Sequence, residues 1–234
     1  MVIFRRLLSE LQALLIDAHC RVCNKPLING EVAICDDCLA ELRLFDVPHL
    51  TTPHSFLDYK LEHIGRIRGA SALMIYKKGG ISQTLIHDLK YHGCRRYAQL
   101  FGHAIAMKIT NNQIYSNIDY IIPVPLHKTK QRRRGYNQST EVARIISHET
   151  GIPVSTDNLI RFRNTPSQAL SDSADRLAFR YAFSVNNPEL FNNKRILLID
   201  DVFTSGSTII DCCRALDSVP NLDILVYTLA YAED

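Results

Sequence analysis

ILLIDDVFTSGST, residues 196–208, decides the fold. Four uninterrupted apolar residues fit a strand buried on both faces, as in a parallel sheet covered by helices. Two aspartates and a short hydroxylic loop follow, and an apolar run at helical spacing comes next. Gly206 permits a backbone shape closed to other residues, so successive N–H groups can converge into an anion-binding nest. A helix starting near Ser207 would add free N–H donors and the positive end of its dipole. Thr204, Ser205, Gly206, Ser207 and Thr208 therefore suit a phosphate. The loop is not a nucleotide P-loop, because G-x-x-x-x-G-K is absent. Carboxylates beside a phosphate would repel it unless they face another part of the same ligand. A sugar's vicinal hydroxyls are such a part, since they donate hydrogen bonds that Asp200 and Asp201 can accept. The plainer alternative is a strand end followed by a serine helix cap. The ordered combination favours a sugar phosphate.

Working outward, apolar runs and helical patterns alternate along the chain. ASALMIYKKGG (70–80) reads as a strand and turn, and ISQTLIHDLKYHG (81–93) and RRYAQLFGHAIAMKI (95–109) as helices. DYIIPVP (119–125) reads as a strand, NQSTEVARIISHETG (137–151) as a helix stopped by Gly151, and 159–162 as a weaker strand. RILLID, STIIDCCRALDS and LDILVYTLAY then give strand, helix and last strand, with Cys212 and Cys213 expected in the core. This order predicts an α/β fold with a mainly parallel sheet and helices on both faces. Ligands in such folds bind beyond the carboxyl ends of the strands, where ILLIDD ends.

Four cysteines precede this domain. Cys20 and Cys23, and Cys35 and Cys38, form two C-x-x-C pairs with eleven residues between them. Two such knuckles complete a tetrahedral S4 site for zinc, predicting a small zinc ribbon. Disulfides would need an oxidising compartment. A redox dithiol would need only one pair, placed where a helix opens after a strand. Structural zinc is favoured. Four thiolates leave no open coordination position, so zinc removal is expected to unfold the N-terminal region and leave ligand affinity nearly intact.

The remaining N-terminal sequence gives three expectations. Residues 1–18 carry Phe4, Leu7, Leu8, Leu11, Leu14, Leu15 and Ala18 at helical spacing, predicting an amphipathic helix. Arg5 and Arg6 precede leucines as in a signal peptide, but Ser9, Glu10 and Gln12 interrupt the run and no small-residue cleavage site follows. The domain plan is the helix over 1–18, the cysteine module over 19–45 with a helix near 36–44, an irregular linker over 46–68, and the α/β domain over 69–234. No apolar run approaches the ~18 residues of a membrane span, so a cytoplasmic protein is expected.

With 27 basic and 24 acidic residues the net charge is only +3, so charge distribution matters more than the total. Lys128, Lys130, Arg132, Arg133 and Arg134 crowd into IIPVPLHKTKQRRRGYNQS (121–139), read as a basic loop after a strand. Such a loop could bind a pyrophosphate and stabilise its growing charge. With Tyr136 among the cations, Lys128, Lys130, Arg132 and Arg133 could instead hold a nucleic acid single strand by stacking and backbone contacts.

Residues 196–208 closely resemble the signature of type I phosphoribosyltransferases. That resemblance implies 5-phosphoribosyl-1-pyrophosphate (PRPP) as ligand, with the acidic pair on the ribose hydroxyls, the following loop on the 5-phosphate, and Mg²⁺ bridging pyrophosphate and ribose. Together with the four-cysteine finger, HDLKYHG, PVPLH…RRRGYNQ and R-x-R-N-T-x-S-Q…R, it resembles the ComF family of bacterial competence proteins, which includes gluconate-utilisation relatives. The family pattern implies that Arg133, Arg134, Gly135, Asn137 and Gln138 form the pyrophosphate-side loop. It implies that Arg161, Arg163, Thr165, Gln168 and Arg176 lie in or beside a mobile loop over the site; Lys90 matches less closely. Arg180 stands where an asparagine is common, and TSGST replaces the more frequent TTGAT. The resemblance further implies a role in natural transformation, handling single-stranded DNA on the cytoplasmic side with DNA-import machinery at the inner face of the membrane. A phosphoribosyltransferase with an unidentified acceptor, or a PRPP-sensing regulator without transfer, are the alternatives.

Overall fold

The computed structural model describes residues 19–28, 31, 33–45, 61, 63–92, 95–163 and 182–232. The expected helix over 1–18 lies outside them, as do Cys94, most of the expected linker, and Thr165, Gln168, Arg176 and Arg180.

Four parallel strands form the central sheet in the order β1-β6-β5-β2: β1 Ile67–Tyr76, β6 Asp223–Ala232, β5 Arg195–Phe203 and β2 Tyr120–Pro123. The unbroken apolar reading of ILLI has a direct structural cause. Leu197 and Ile199 point into one core while Ile196 and Leu198 point into the other, and all four are fully buried. The first core lies under α2 (Ile81–Tyr91), α3 (Arg95–Thr110) and α5 (Gln138–Thr150). The second lies under α6 (Ser207–Ala215), where Cys212 and Cys213 are buried as expected. Helices thus cover both faces.

Several boundaries differ from the sequence expectation. Strand β5 runs past the aspartates to Phe203, because Val202 and Phe203 keep pairing with Ala230 and Tyr231. Strand β1 starts at Ile67, inside the segment expected to be linker, because its first residues pair with Ile224 and Leu225. Near the cysteines, α1 covers only Asp36–Ala40, short of the expected 36–44. The next residues leave the helix to pair with the edge of β1: the Phe45 N–H donates to Leu73 O and the Ile75 N–H to Arg43 O.

The largest correction concerns the basic loop. Lys128–Arg134 is a helix, α4, capped at its start by His127 and at its end by Gly135 in the left-handed region at φ +83°. Six of its seven residues (KTKQRRR) are long unbranched side chains that favour helix, and the charge run hid that propensity. Beyond α5, the antiparallel pair β3 (Leu159–Arg161) and β4 (Phe183–Val185) packs its buried Leu159 and Phe183 into the second core.

Candidate functional site

The site forms where β5 leaves the sheet. Gly206, in the left-handed region at φ +77°, turns the chain so that α6 begins at Ser207. A Cβ at this position would lie 2.8 Å from Phe203 Cζ, so glycine is required by space as well as by dihedral. The first helical bond of α6 runs from the Ile210 N–H to Gly206 O. The amides of the first turn ahead of it have no partner within the helix; the Ser207 N–H donates to Ser205 Oγ at 3.5 Å and could turn instead to an anion. Ser205 Oγ donates to Ser207 Oγ at 3.2 Å, and Thr204, Ser205 and Ser207 are exposed. Asp200, Phe203, Thr204, Gly206, Ser207 and Thr208 line a small cleft.

The two aspartates have different surroundings. Burial pushes the Asp200 carboxyl up to about 7, and the neighbouring charge of Asp201 adds to this, against the Asp201 N–H that donates to it at 2.8 Å. Lys90 and Arg161 pull in the opposite direction. Asp201 is held by direct partners: Lys90 Nζ at 3.0 Å and an amide hydrogen bond from Gln138 Nε2, all on Oδ2. Gln138 in turn accepts from Arg134 Nη1 at 3.0 Å. A chain of contacts therefore runs from Arg134 through Gln138 and Asp201 to Lys90.

Arg134 also donates to the Tyr91 hydroxyl at 3.4 Å, and this hydrogen bond lowers the Tyr91 pKa. The buried Nε of Arg134 finds no partner among the described residues. Lys130 lies half-buried on the same side; desolvation, then the charges of Arg161 and Arg134, lower its pKa. Lys90, Lys130, Arg134 and Arg161 thus form a cationic wall, of which Lys90 and Arg161 act directly on the two carboxylates.

The expected residues divide by role. Asp200, Asp201, the 204–208 loop, Arg134, Gln138 and Arg161 come together, and so does Lys90, the least closely matched of them. Asn137 turns inward: it caps α5 through the Ser139 N–H and donates to Val124 O at 3.0 Å, so its amide fixes the turn after β2. Gly135 acts through its backbone conformation. Arg161 closes β3, donating to Arg163 O at 3.3 Å and lying 5.2 Å from the Phe183 ring. Arg163 stands over Phe162. On α4, Lys128, Arg132 and Arg133 are exposed, whereas Tyr136 is half-buried with its hydroxyl donating to Leu89 O. Tyr91 was not singled out from the sequence, although its neighbour Lys90 was.

At the other end of the chain, Cys20, Cys23, Cys35 and Cys38 place their sulfurs within 4.8 Å of one another. No disulfide joins them; Cys23 and Cys35 Sγ are 3.5 Å apart. The Val22 N–H points at Cys20 Sγ, 3.4 Å away. Burial raises the Cys20 pKa, but N–H groups from Cys23, Cys35 and Val22 outweigh it and bring the thiol to about 6. Four thiols converging on one point, with amides aimed at a sulfur, fit a tetrahedral zinc ion.

A nest at a strand–helix turn, paired carboxylates and nearby cations thus lie together at the carboxyl end of a parallel strand. The phosphoribosyl transferase domain family matches residues 94–232. Competence protein F of Haemophilus influenzae is 36% identical over 48% of this chain and 50% of its own. Competence protein ComFC of Bacillus subtilis is 29% identical over 61% and 56%. The chain spans about half the length of these curated relatives. The adenine phosphoribosyltransferase structure from Leishmania tarentolae matches 71% of this chain and 92% of its own at 10% identity and a TM-score of 0.43. The chain belongs to the phosphoribosyl transferase domain family. Among the described residues no helix is long and apolar enough to cross a membrane.

Proposed function

We propose that this protein binds PRPP with Mg²⁺ and acts in DNA uptake, handling incoming single-stranded DNA on the cytoplasmic side of the membrane. The observation carrying the first half is the arrangement of Asp200 and Asp201 between the Gly206 nest and the cationic wall. The 5-phosphate sits on the amides and hydroxyls of 204–208, and the ribose hydroxyls donate to the aspartates. The pyrophosphate lies toward Arg134 and Lys130, where the buried Arg134 Nε has an unused donor. Mg²⁺, when bound with the ligand, would neutralise part of the pyrophosphate charge.

The basic helix supports a division of labour. Lys130 and Arg134 are one helical turn apart and share the side facing the site, whereas Lys128, Arg132 and Arg133 are exposed. Pyrophosphate and DNA then use different sides of α4. The competence names of the relatives support the DNA half of this reading.

Calorimetry with Mg-PRPP, paired with single-strand binding at two salt concentrations, tests both halves. Arg132→Ala/Arg133→Ala should weaken DNA binding and its salt dependence while leaving Mg-PRPP affinity within two-fold, a ratio taken as roughly experimental resolution. Equal loss of both ligands would show a single shared surface. Pyrophosphate release from PRPP on addition of an acceptor would favour the transferase alternative.

A further inference from the structure

The zinc module and the phosphoribosyl site meet at one carboxylate. Asp88 lies on α2 with its side chain 8% exposed, and three side chains come within hydrogen-bond distance of it. Arg21 Nε, from between the first two cysteines, reaches Oδ2 at 3.1 Å. His92 Nδ1 lies 2.8 Å from Oδ1, and the Tyr97 hydroxyl of α3 lies 3.4 Å from Oδ2. Together Arg21 and His92 outweigh the burial of Asp88 and hold its pKa below the usual value.

The residues just after Asp88 are those that serve the site. Lys90 pairs with Asp201, Tyr91 receives Arg134, and the Leu89 carbonyl accepts from Tyr136. They occupy the last turn of α2, whose carbonyls lack helical partners and which frays unless held from outside. Arg21 is itself fixed by the knuckle: the Cys20 N–H donates to Lys25 O at 2.7 Å and the Arg21 N–H to Ala33 O at 3.3 Å. Cys20, Cys35 and Cys38 also share one apolar core with Leu85 and Leu89 of α2.

We infer that Arg21 and Asp88 are positioning residues through which the zinc-bound knuckle holds Lys90 and Tyr91 in the phosphoribosyl site. The finger is then a structural part of ligand binding, which reverses the sequence expectation that zinc removal leaves affinity nearly intact. This inference rests on the PRPP reading for its effect on affinity. Its effect on α2 stands without a ligand.

The test uses the full zinc-loaded chain and Arg21→Ala, a half-exposed substitution outside the cysteine ligands. Amide hydrogen exchange in the ligand-free protein should accelerate at residues 89–92 and stay unchanged at 142–146 on α5. Mg-PRPP affinity should fall about five- to ten-fold, the lower range of coupling between linked sites. In a Lys90→Ala background the same change should cost less than about two-fold, and Arg21→Lys should recover part of the loss. Lys25→Ala, which breaks the exposed Lys25–Asp37 pair inside the knuckle, should change neither measurement. Unchanged exchange at 89–92 in Arg21→Ala overturns the inference. Accelerated exchange without any Mg-PRPP binding by the parent protein would leave the coupling standing and remove the PRPP reading.

Discussion

The chain holds two anion-rich sites of opposite design. In the cysteine knuckle, four thiols converge on one point, and backbone N–H groups are aimed at a sulfur. In the strand-end site, Asp201 already has Lys90 and Gln138 as partners, while burial raises the Asp200 pKa to about 7. Four thiols gathered within 4.8 Å of one another would suit a tightly held metal ion. In the second, protein groups already occupy Asp201 while the buried Arg134 Nε is left without a partner among the described residues. The first design would suit a permanent ion, and the second, under the proposed function, a ligand that comes and goes.

Removing the metal should have the largest effect. Chelation or Cys38→Ser should unfold residues 19–45, because structural zinc contributes on the order of 10 kcal/mol. Metal analysis should give one zinc per chain, and circular dichroism with hydrogen exchange should show the loss. A knuckle that stays protected without metal would dissolve the contrast between the sites.

Gly206→Ala attacks the second site through the backbone alone. The left-handed dihedral and the contact with Phe203 should cost about 1–2 kcal/mol of stability and open the phosphate nest. Thermal unfolding checks the first effect and Mg-PRPP titration the second.

Protonation is a milder probe. The folded pKa of Asp200, about 7, lies above its unfolded value near 4. The stability contributed by this group is therefore fully present below about pH 4 and is lost as pH rises through about 7. Asp200→Asn should stabilise the ligand-free protein at pH 8 and flatten its stability between pH 6 and 8. Ribose hydroxyls and Mg²⁺ favour the ionised carboxylate, so wild-type Mg-PRPP affinity should fall as pH drops below 7, by at most about ten-fold per unit for one proton. Calorimetry in buffers of different ionisation enthalpy should show a proton released on binding. The smallest expected effect is that of Arg132→Ala/Arg133→Ala on Mg-PRPP, since both side chains are exposed.

The sheet and the nest were legible because their causes are local. ILLI is apolar on both sides since both sides are covered, and Gly206 marks a turn that only glycine fits. The cysteine spacing likewise carries its own geometry. What stayed hidden depends on long-range packing. Tyr91 reaches the site only because α2 lies beside α4, and Asp88 meets Arg21 across 67 positions of sequence. In α4 the charge run masked the helix and the separation of Lys130 and Arg134 from Lys128 and Arg132. Asn137 shows the reverse difference. It belongs to a motif associated with the ligand, and its amide is engaged by the turn after β2 and the start of α5.

The most direct test of the central claim is the position of each part of Mg-PRPP in a crystal of its complex with the full chain. The account predicts the 5-phosphate on the N–H groups of Ser207 and Thr208, the ribose hydroxyls on Asp200 and Asp201, and the pyrophosphate toward Arg134. A pyrophosphate seated on the 204–208 loop, or a ribose out of reach of both aspartates, would contradict it.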